Sequence, residues 1–357
     1  MEAQTATRKL ALREWLFPYA MLIFVPVSMA LYWLHANPVL IFIVTLLAII
    51  PVTSFIAKST QELSSRTTTI VGSLLNATFG NASEFLIAIF ALRVGLVEMV
   101  KASLIGSIIL NILLLIGISM IAGGIKYREQ TFNRDSVGVS STMLLIAVAG
   151  LSMPTIYAAL TGKTAVIMSQ AVSIILGITY LLSLVFLLFT HRHLFGARRY
   201  GADQTRWSTK SAALVLLLSV TVAGIESDML VSVLAPTIET TTLNQAFIGL
   251  VIVGAITNIP ENLAAIRFGL RDNITLSMEI GMNSAIQIAL FVAPVLVFIS
   301  PLVGGQISLA FAPFQMAALI LTVMIINYLG SDGICNWLEG VQLVTVFVII
   351  AIAFYFI

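Results

Sequence analysis

The chain has 357 residues, 59% hydrophobic and 10% charged, with a formal net charge of +2 and a mean hydropathy of +1.05. A soluble domain carries about 45–50% apolar and about 25% charged residues, so these values exclude a soluble globular protein and describe an integral membrane protein made of spanning helices. The near-balanced charge points to no nucleic-acid partner, and the single Cys335 excludes an intrachain disulfide.

A spanning helix needs about 20 mostly apolar residues. On that basis the chain predicts eleven spans, over 16–34, 38–57, 68–92, 101–122, 137–160, 164–189, 211–234, 245–270, 274–300, 308–328 and 338–356. Backbone polar groups in lipid must be satisfied within the segment, so these runs are helices. The tail before the first span is polar and the apolar stretch after it is span-length, so no cleavable signal peptide is expected. With the N-terminus in the cytoplasm, 15 of the 18 Lys and Arg residues fall inside, and only Arg93, Lys101 and Lys163 fall outside. That asymmetry follows the positive-inside rule, and adding or removing one span would scramble it. The expected location is a cell membrane, crossed many times, with the C-terminus outside; the short loops suggest a prokaryotic one.

Two spans carry carboxylates where they are costly. Glu84 lies in TIVGSLLNATFGNASEFLIAIFAL and Glu261 in AFIGLVIVGAITNIPENLAAIRFGL. A charge at the bilayer centre costs about 2.5–3.5 kcal/mol on insertion scales, which marks such residues as functional candidates. Both sit in an Asn-x-x-Glu pattern, with Asn81 and Asn258 as the amides, and the two patterns stand 177 residues apart. The same offset carries Gly72 onto Gly249, Leu86 onto Leu263, Ala88 onto Ala265, Ser107 onto Ser284 and Leu113 onto Leu290. The third span runs outward and the eighth inward, so the repeats are inverted, a transporter signature with a site near the midplane. The predicted fold class is therefore all-α: a first helix plus two inverted five-helix repeats. Residues 1–57 hold the N-terminal tail and the first two spans. The first repeat covers 38–189, with its signature in 76–119. A basic cytoplasmic loop follows over 190–210, and the second repeat covers 211–357, with its signature in 249–295.

Asn81 and Glu84 are three residues apart and share a helix face, as do Asn258 and Glu261. The following spans add Ser107 with Asn111, and Ser284 with Gln287. Pro260 has no N–H, so the Ile256 carbonyl loses its helical partner; the Phe79 carbonyl beside Gly80 is its counterpart in the first repeat. Together these are candidate oxygen ligands for a hard cation such as Ca2+, which takes about 6–8 oxygens. No Cys or His stands among them, which argues against zinc or copper. Two nearby buried carboxylates cannot both stay charged without a cation, so they take up protons; a divalent cation must then expel those protons. Exclusive binding of this kind suffices for antiport when the loaded site alternates between sides. Helix–helix hydrogen bonding is the competing role for the amides and hydroxyls. Glu62, near the second span, and Asp228 and Glu226, in the seventh, are secondary acidic candidates. Glu62 and Asp228 are expected to act as a pair, in cation capture or proton relay, unless helix-end solvation accounts for them.

The segments GSLLNATFGNASEFLIAIFAL with KASLIGSIILNILLLIGIS, and FIGLVIVGAITNIPENLAAI with NSAIQIALFVAPVLV, resemble the paired signature repeats of the calcium/proton exchanger family, within the cation/calcium antiporter superfamily. The resemblance covers most of the chain. It implies an eleven-helix fold with a cation site between the third and eighth spans. It places the essential glutamates on Glu84 and Glu261, neighbouring polar residues on Asn81, Asn258, Ser107, Ser284 and Gln287, and further acids on Glu62 and Asp228. The chain departs from the family pattern at Thr257-Asn258-Ile259-Pro260-Glu261, which is closer to the T-S-x-P-E of sodium/calcium exchangers. It departs again at Asn283, where Gly is usual, at Ile286, and in a basic rather than acidic loop after the sixth span.

The expected activity is exchange of cytoplasmic Ca2+ for protons by alternating access. The alternatives are sodium/calcium or broader monovalent and divalent cation antiport and, more distantly, a cation channel. No Ser/His/Asp set, His metal cluster or nucleotide loop supports an enzyme. Ca2+ enters as transported ion, with no organic cofactor. The expected partners are Ca2+, protons and the bilayer, and a homo-oligomer is left open.

Overall fold

The computed structural model describes residues 19–191 and 207–356. The polar N-terminal tail, and the part of the basic loop over 192–206, lie outside the described residues. The chain is almost wholly helical. We label the helices α1 (Tyr19–Trp33), α2 (Pro38–Ser64), α3 (Thr69–Phe79), α4 (Ala82–Arg93), α5 (Val97–Tyr127), α6 (Arg134–Thr161) and α7 (Val166–Thr190). After the basic loop come α8 (Thr209–Thr240), α9 (Gln245–Thr257), α10 (Ile259–Leu270), α11 (Ile274–Val303), α12 (Pro313–Leu329) and α13 (Trp337–Phe356). Seven of these are long and apolar enough to cross a membrane, or up to nine if each bent pair, α3 with α4 and α9 with α10, is one span. The helices α1 and α12 are apolar but shorter.

Helix starts follow local chemistry. Asn37 caps α2, accepting from the Val39 N–H at 2.9 Å, and Pro38 stands where its missing N–H costs nothing. Asn133 caps α6 through the Asp135 and Ser136 N–H groups at 3.0 and 3.1 Å. Asn244 caps α9 at 2.7 Å and donates to the Phe354 carbonyl at 2.9 Å, which ties α9 to the end of α13.

The predicted third and eighth spans, 68–92 and 245–270, are not continuous helices. Each breaks, with bends of 45° and 61°. Hydropathy runs on through both breaks, which is why span-counting does not register them. The breaks fall at Gly80–Asn81 and at Asn258, equivalent positions at the 177-residue offset. Further symmetry lies in α5 and α11, which widen to π-helical turns over Leu110–Leu115 and Ile288–Val292. Such widened turns concentrate at functional sites.

Loop contacts sort the helix ends into two sets. At one end Arg66 donates to the Trp207 carbonyl and, at 3.3 Å, to Thr209 Oγ1, while the Lys58 ammonium sits 4.8 Å from the Trp207 ring centroid. At that end too, strands β1 (Glu129–Thr131) and β2 (Ile334–Asn336) pair antiparallel, with Gln130 opposite Cys335. Gln130 Nε2 reaches the Gly269 carbonyl at 3.0 Å and Asp272 Oδ1 at 2.9 Å. At the opposite end the extended segment before α12 is held by Ser169 Oγ on the Leu309 N–H, 2.9 Å, and Thr155 Oγ1 on the Phe311 N–H, 3.0 Å.

The main apolar core runs along α5 and α11. A second, smaller cluster (Val52, Ile56, Ala82, Leu216, Ala223) fills the contact of α2 with α8 and α4. α5 is the most buried of the long helices, and α7 turns most of its surface outward.

Candidate functional site

The two breaks set the site. Asn81 is the residue before α4 and Asn258 the residue before α10, so Glu84 and Glu261 are each third in a new helix. Asn-x-x-Glu is thus a helix-start pattern, with Asn at the cap and Glu in the first turn. Neither Asn side chain caps its own helix. Instead each glutamate stands in the first turn of its half-helix, at the positive end of the helix dipole. Pro260 fits the first turn of α10, where it removes no hydrogen bond. α3 and α9 end at the same breaks and bring carbonyl-bearing C-termini there. Phe79 is the last residue of α3. The helix breaks at Asn258, so the Ile256 carbonyl has no N–H four residues on to accept from, and the Asn258 N–H that ends α9 is directed at it.

The amides and hydroxyls form two hydrogen-bonded groups at the breaks, one around Asn258 that includes Glu84 and one around Asn81. Asn258 Nδ2 lies 3.1 Å from Glu84 Oε1, 2.9 Å from the Gly254 carbonyl, 3.2 Å from Thr257 Oγ1 and 3.4 Å from Ser107 Oγ. Asn111 Nδ2 donates to Asn258 Oδ1 at 3.1 Å and Ser284 Oγ at 2.9 Å. The Ser284 hydroxyl reaches Asn258 Oδ1 at 3.5 Å. Asn81 Nδ2 donates to the Ala77 carbonyl at 3.2 Å and Gln287 Oε1 at 3.0 Å. Glu84, Asn81, Ser107, Asn111 and Asn258 are buried, whereas Glu261, Ser284 and Gln287 are half-buried. Thr257, part of the variant motif but not singled out from sequence, is buried; its hydroxyl donates to the Val253 carbonyl at 3.0 Å and accepts from Asn258 Nδ2 at 3.2 Å. The donor set is carboxylate, amide and hydroxyl oxygen, which suits a hard cation.

The secondary acids are elsewhere. Glu62, two residues from the end of α2, pairs with Arg66 at 3.6 Å. Asp228 is exposed on α8, nineteen residues beyond Thr209, which is about 28 Å along a helix. Since α8 starts at the end where Arg66 meets Thr209, Glu62 and Asp228 lie at opposite ends and are not a pair. The span directions alone carried that signal. Glu226 is fully buried against α1, where Ser28 Oγ donates to its Oε1 at 2.8 Å.

Packing around the site is unequal. α9 lies along α5 at backbone contact: a Cβ at Gly106 would stand 2.3 Å from the Leu250 Cα, and one at Gly249 would stand 2.5 Å from the Met99 carbonyl. α3, the counterpart of α9, lies along α2 and has no comparable contact with α11. Asn283 occupies the position in α11 that Gly106 holds in α5.

The family model for the sodium/calcium exchanger protein matches residues 37–189 and 211–356, both halves of the chain with the basic loop left between them. The chain belongs to the sodium/calcium exchanger protein family. Within that family it groups with the calcium/proton exchangers. It is 36% identical over 360 residues to a Ca(2+)/H(+) antiporter of Aphanothece halophytica, covering 95% of this chain and 96% of that one. It is 34% identical over 337 residues to the Ca(2+)/H(+) antiporter ChaA of Bacillus subtilis, covering 93% and 96%. The solved structure of native YfkE superposes with a TM-score of 0.84 at 32% identity, covering 95% of this chain and all of that one. These family members are multi-pass membrane transporters by name and fold, and this chain shares that character.

Proposed function

We propose that the protein is a secondary active antiporter that moves Ca2+ out of the cytoplasm in exchange for protons, with Glu84 and Glu261 binding the two in turn. The observation that carries this reading is the meeting of the two helix breaks, each with a glutamate in the first turn of its half-helix, where Asn258 of one break donates to Glu84 of the other at 3.1 Å. Asn81, Asn258, Ser107, Ser284 and Gln287 supply further oxygens, with backbone carbonyls at the ends of α3 and α9. Two carboxylates balance a divalent charge. With the cation gone, they repel one another across a medium that screens poorly, and protons relieve the repulsion. Ca2+ and protons therefore exclude each other, which couples their fluxes. The relatives named as Ca(2+)/H(+) antiporters support the same ion pair.

The same reading takes α1, the nine long or bent spans and α12 as eleven crossings, with the two inverted repeats over 38–189 and 211–357. It puts the N-terminus and the β1–β2 end in the cytoplasm. On that orientation α9 seals against α5 on the outer side, while α3 stands away from α11 on the inner side. The packing thus supports a site open to the cytoplasm.

Purified protein in liposomes with an imposed pH gradient tests this. Ca2+ uptake that follows the gradient in sodium-free buffer is the expected result; flux indifferent to the pH gradient would overturn it. Thr257-Asn258-Ile259-Pro260-Glu261 favours sodium/calcium exchange as the second reading, and Ca2+ movement that requires a sodium gradient would establish it.

A further inference from the structure

Asn81 and Asn258 are equivalent, and their amides are anchored alike. Each donates one hydrogen to the carbonyl four residues back, Ala77 or Gly254, at 3.2 and 2.9 Å. An amide nitrogen has two hydrogens, and the second goes to different places in the two halves. Asn258 gives it to the carboxylate of the opposite repeat, Glu84, at 3.1 Å. Asn81 does not take Glu261 in return; its second hydrogen goes to the amide oxygen of Gln287 on α11, at 3.0 Å. The glutamate held by an Asn is the buried one, and the other is half-buried.

In α5 the side chain facing Asn258, as Gln287 faces Asn81, is Asn111. It is fully buried on the π-helical turn Leu110–Leu115. It presents its nitrogen to Asn258 Oδ1 at 3.1 Å, while its own Oδ1 is buried and accepts no hydrogen bond from the described residues. A buried carbonyl oxygen without a donor is costly, and a group of this kind calls for a functional explanation. Asn111 has no counterpart at the repeat offset, where Ile288 stands; its counterpart in role is Gln287, one residue earlier.

Resting on the antiport reading, we propose that Asn111 is a positioning residue. It and Gln287 are the alternate parking acceptors of a two-way amide latch. In the arrangement seen, Asn81 is parked on Gln287 and leaves Glu261 free, while Asn258 holds Glu84. In the opposite arrangement Asn111 and Asn258 both turn, so that a hydrogen of Asn258 Nδ2, not its Oδ1, meets Asn111 Oδ1, and Glu84 is released as Asn81 takes Glu261. Each arrangement frees one carboxylate and holds the other. Gln287 therefore stabilises the arrangement seen, and Asn111 its opposite.

The test compares Asn111→Leu and Gln287→Leu in sealed vesicles of both orientations, reading half-saturating Ca2+ on each face. In the arrangement seen the cytoplasmic face is the open one. Asn111→Leu is expected to lower half-saturating Ca2+ on that face relative to the outer face, and Gln287→Leu to raise it, each by about fivefold, a coupling of ordinary size. Ratios that stay at the wild-type value, or move in the same direction, would overturn the latch. So would a parallel loss of affinity on both faces, which is the signature of a plain ligand. Asn111→Met and Gln287→Met replace any Leu variant that is not monodisperse. Calorimetric Ca2+ titration of the wild type separates the two ideas: absence of binding there sinks the antiport reading, whereas binding with unmoved ratios sinks only the latch.

Discussion

Glu84 and Glu261 were legible as residues from cost alone, because apolar stretches of spanning length rarely carry carboxylates without using them. Their setting was less legible. Asn-x-x-Glu fits one face of a continuous helix, and the same spacing is also that of a cap and its first turn; the local sequence supports both until the break is seen. Thr257 carries no signal of its own, because a threonine in an apolar helix usually bonds its own backbone, which it also does here. Charge is the property that matters at the pair. Glu84→Gln and Glu261→Gln, which keep size and hydrogen bonding, should each cut Ca2+ flux by about a hundredfold or more, since ligand charge sets affinity at oxygen sites over several decades. Flux assays on monodisperse variants check this, and near-normal rates in either would remove that residue from the site. Cys335 gives a second residue-scale expectation. Burial, with Glu339, Asp332 and Asp272 nearby, pushes its thiol up to about 12. It should stay unalkylated by maleimide at pH 8 in the folded protein and react once the protein is unfolded; rapid labelling in the folded state would contradict its placement in β2.

At the scale of elements, the spans were legible because lipid allows no unsatisfied backbone, so apolar length translates directly into helix. Breaks, widened turns and three-residue strands were not, since none of them changes hydropathy. The pairing of Gln130 with Cys335 depends on loops meeting in space, which no local pattern announces. The 177-residue offset, by contrast, matched the break positions and the π-helical turns of α5 and α11. It also predicts where the halves differ. Gly106 allows α9 to touch α5, whereas Asn283 stands at the equivalent position of α11, which has no comparable contact with α3. Gly106→Leu must therefore push the two backbones apart, at a cost of about 1–3 kcal/mol by the usual scale for overpacking. A lower thermal unfolding midpoint, with flux reduced although every candidate ligand is intact, is the expected outcome. An unchanged midpoint would show that α5 and α9 are not in backbone contact.

For the whole molecule, the proposed inverted repeat and the uneven packing together fit one site reached from two sides. The repeat was readable from polar positions at one spacing. The unevenness was not, because two halves of similar sequence give no sign of which is packed and which is open. α1 stands outside the repeat and joins it through Ser28 and Glu226, a contact that span-counting could not assign. The central claim is that Ca2+ and protons compete for Glu84 and Glu261 and so drive one another. The most direct measurement is proton movement in liposomes given only a Ca2+ gradient, with a pH-sensitive dye inside and no sodium present. The account predicts protons moving opposite to Ca2+ in the wild type, and no such movement in Glu84→Gln or Glu261→Gln. Ca2+ crossing the membrane without counter-moving protons would contradict it.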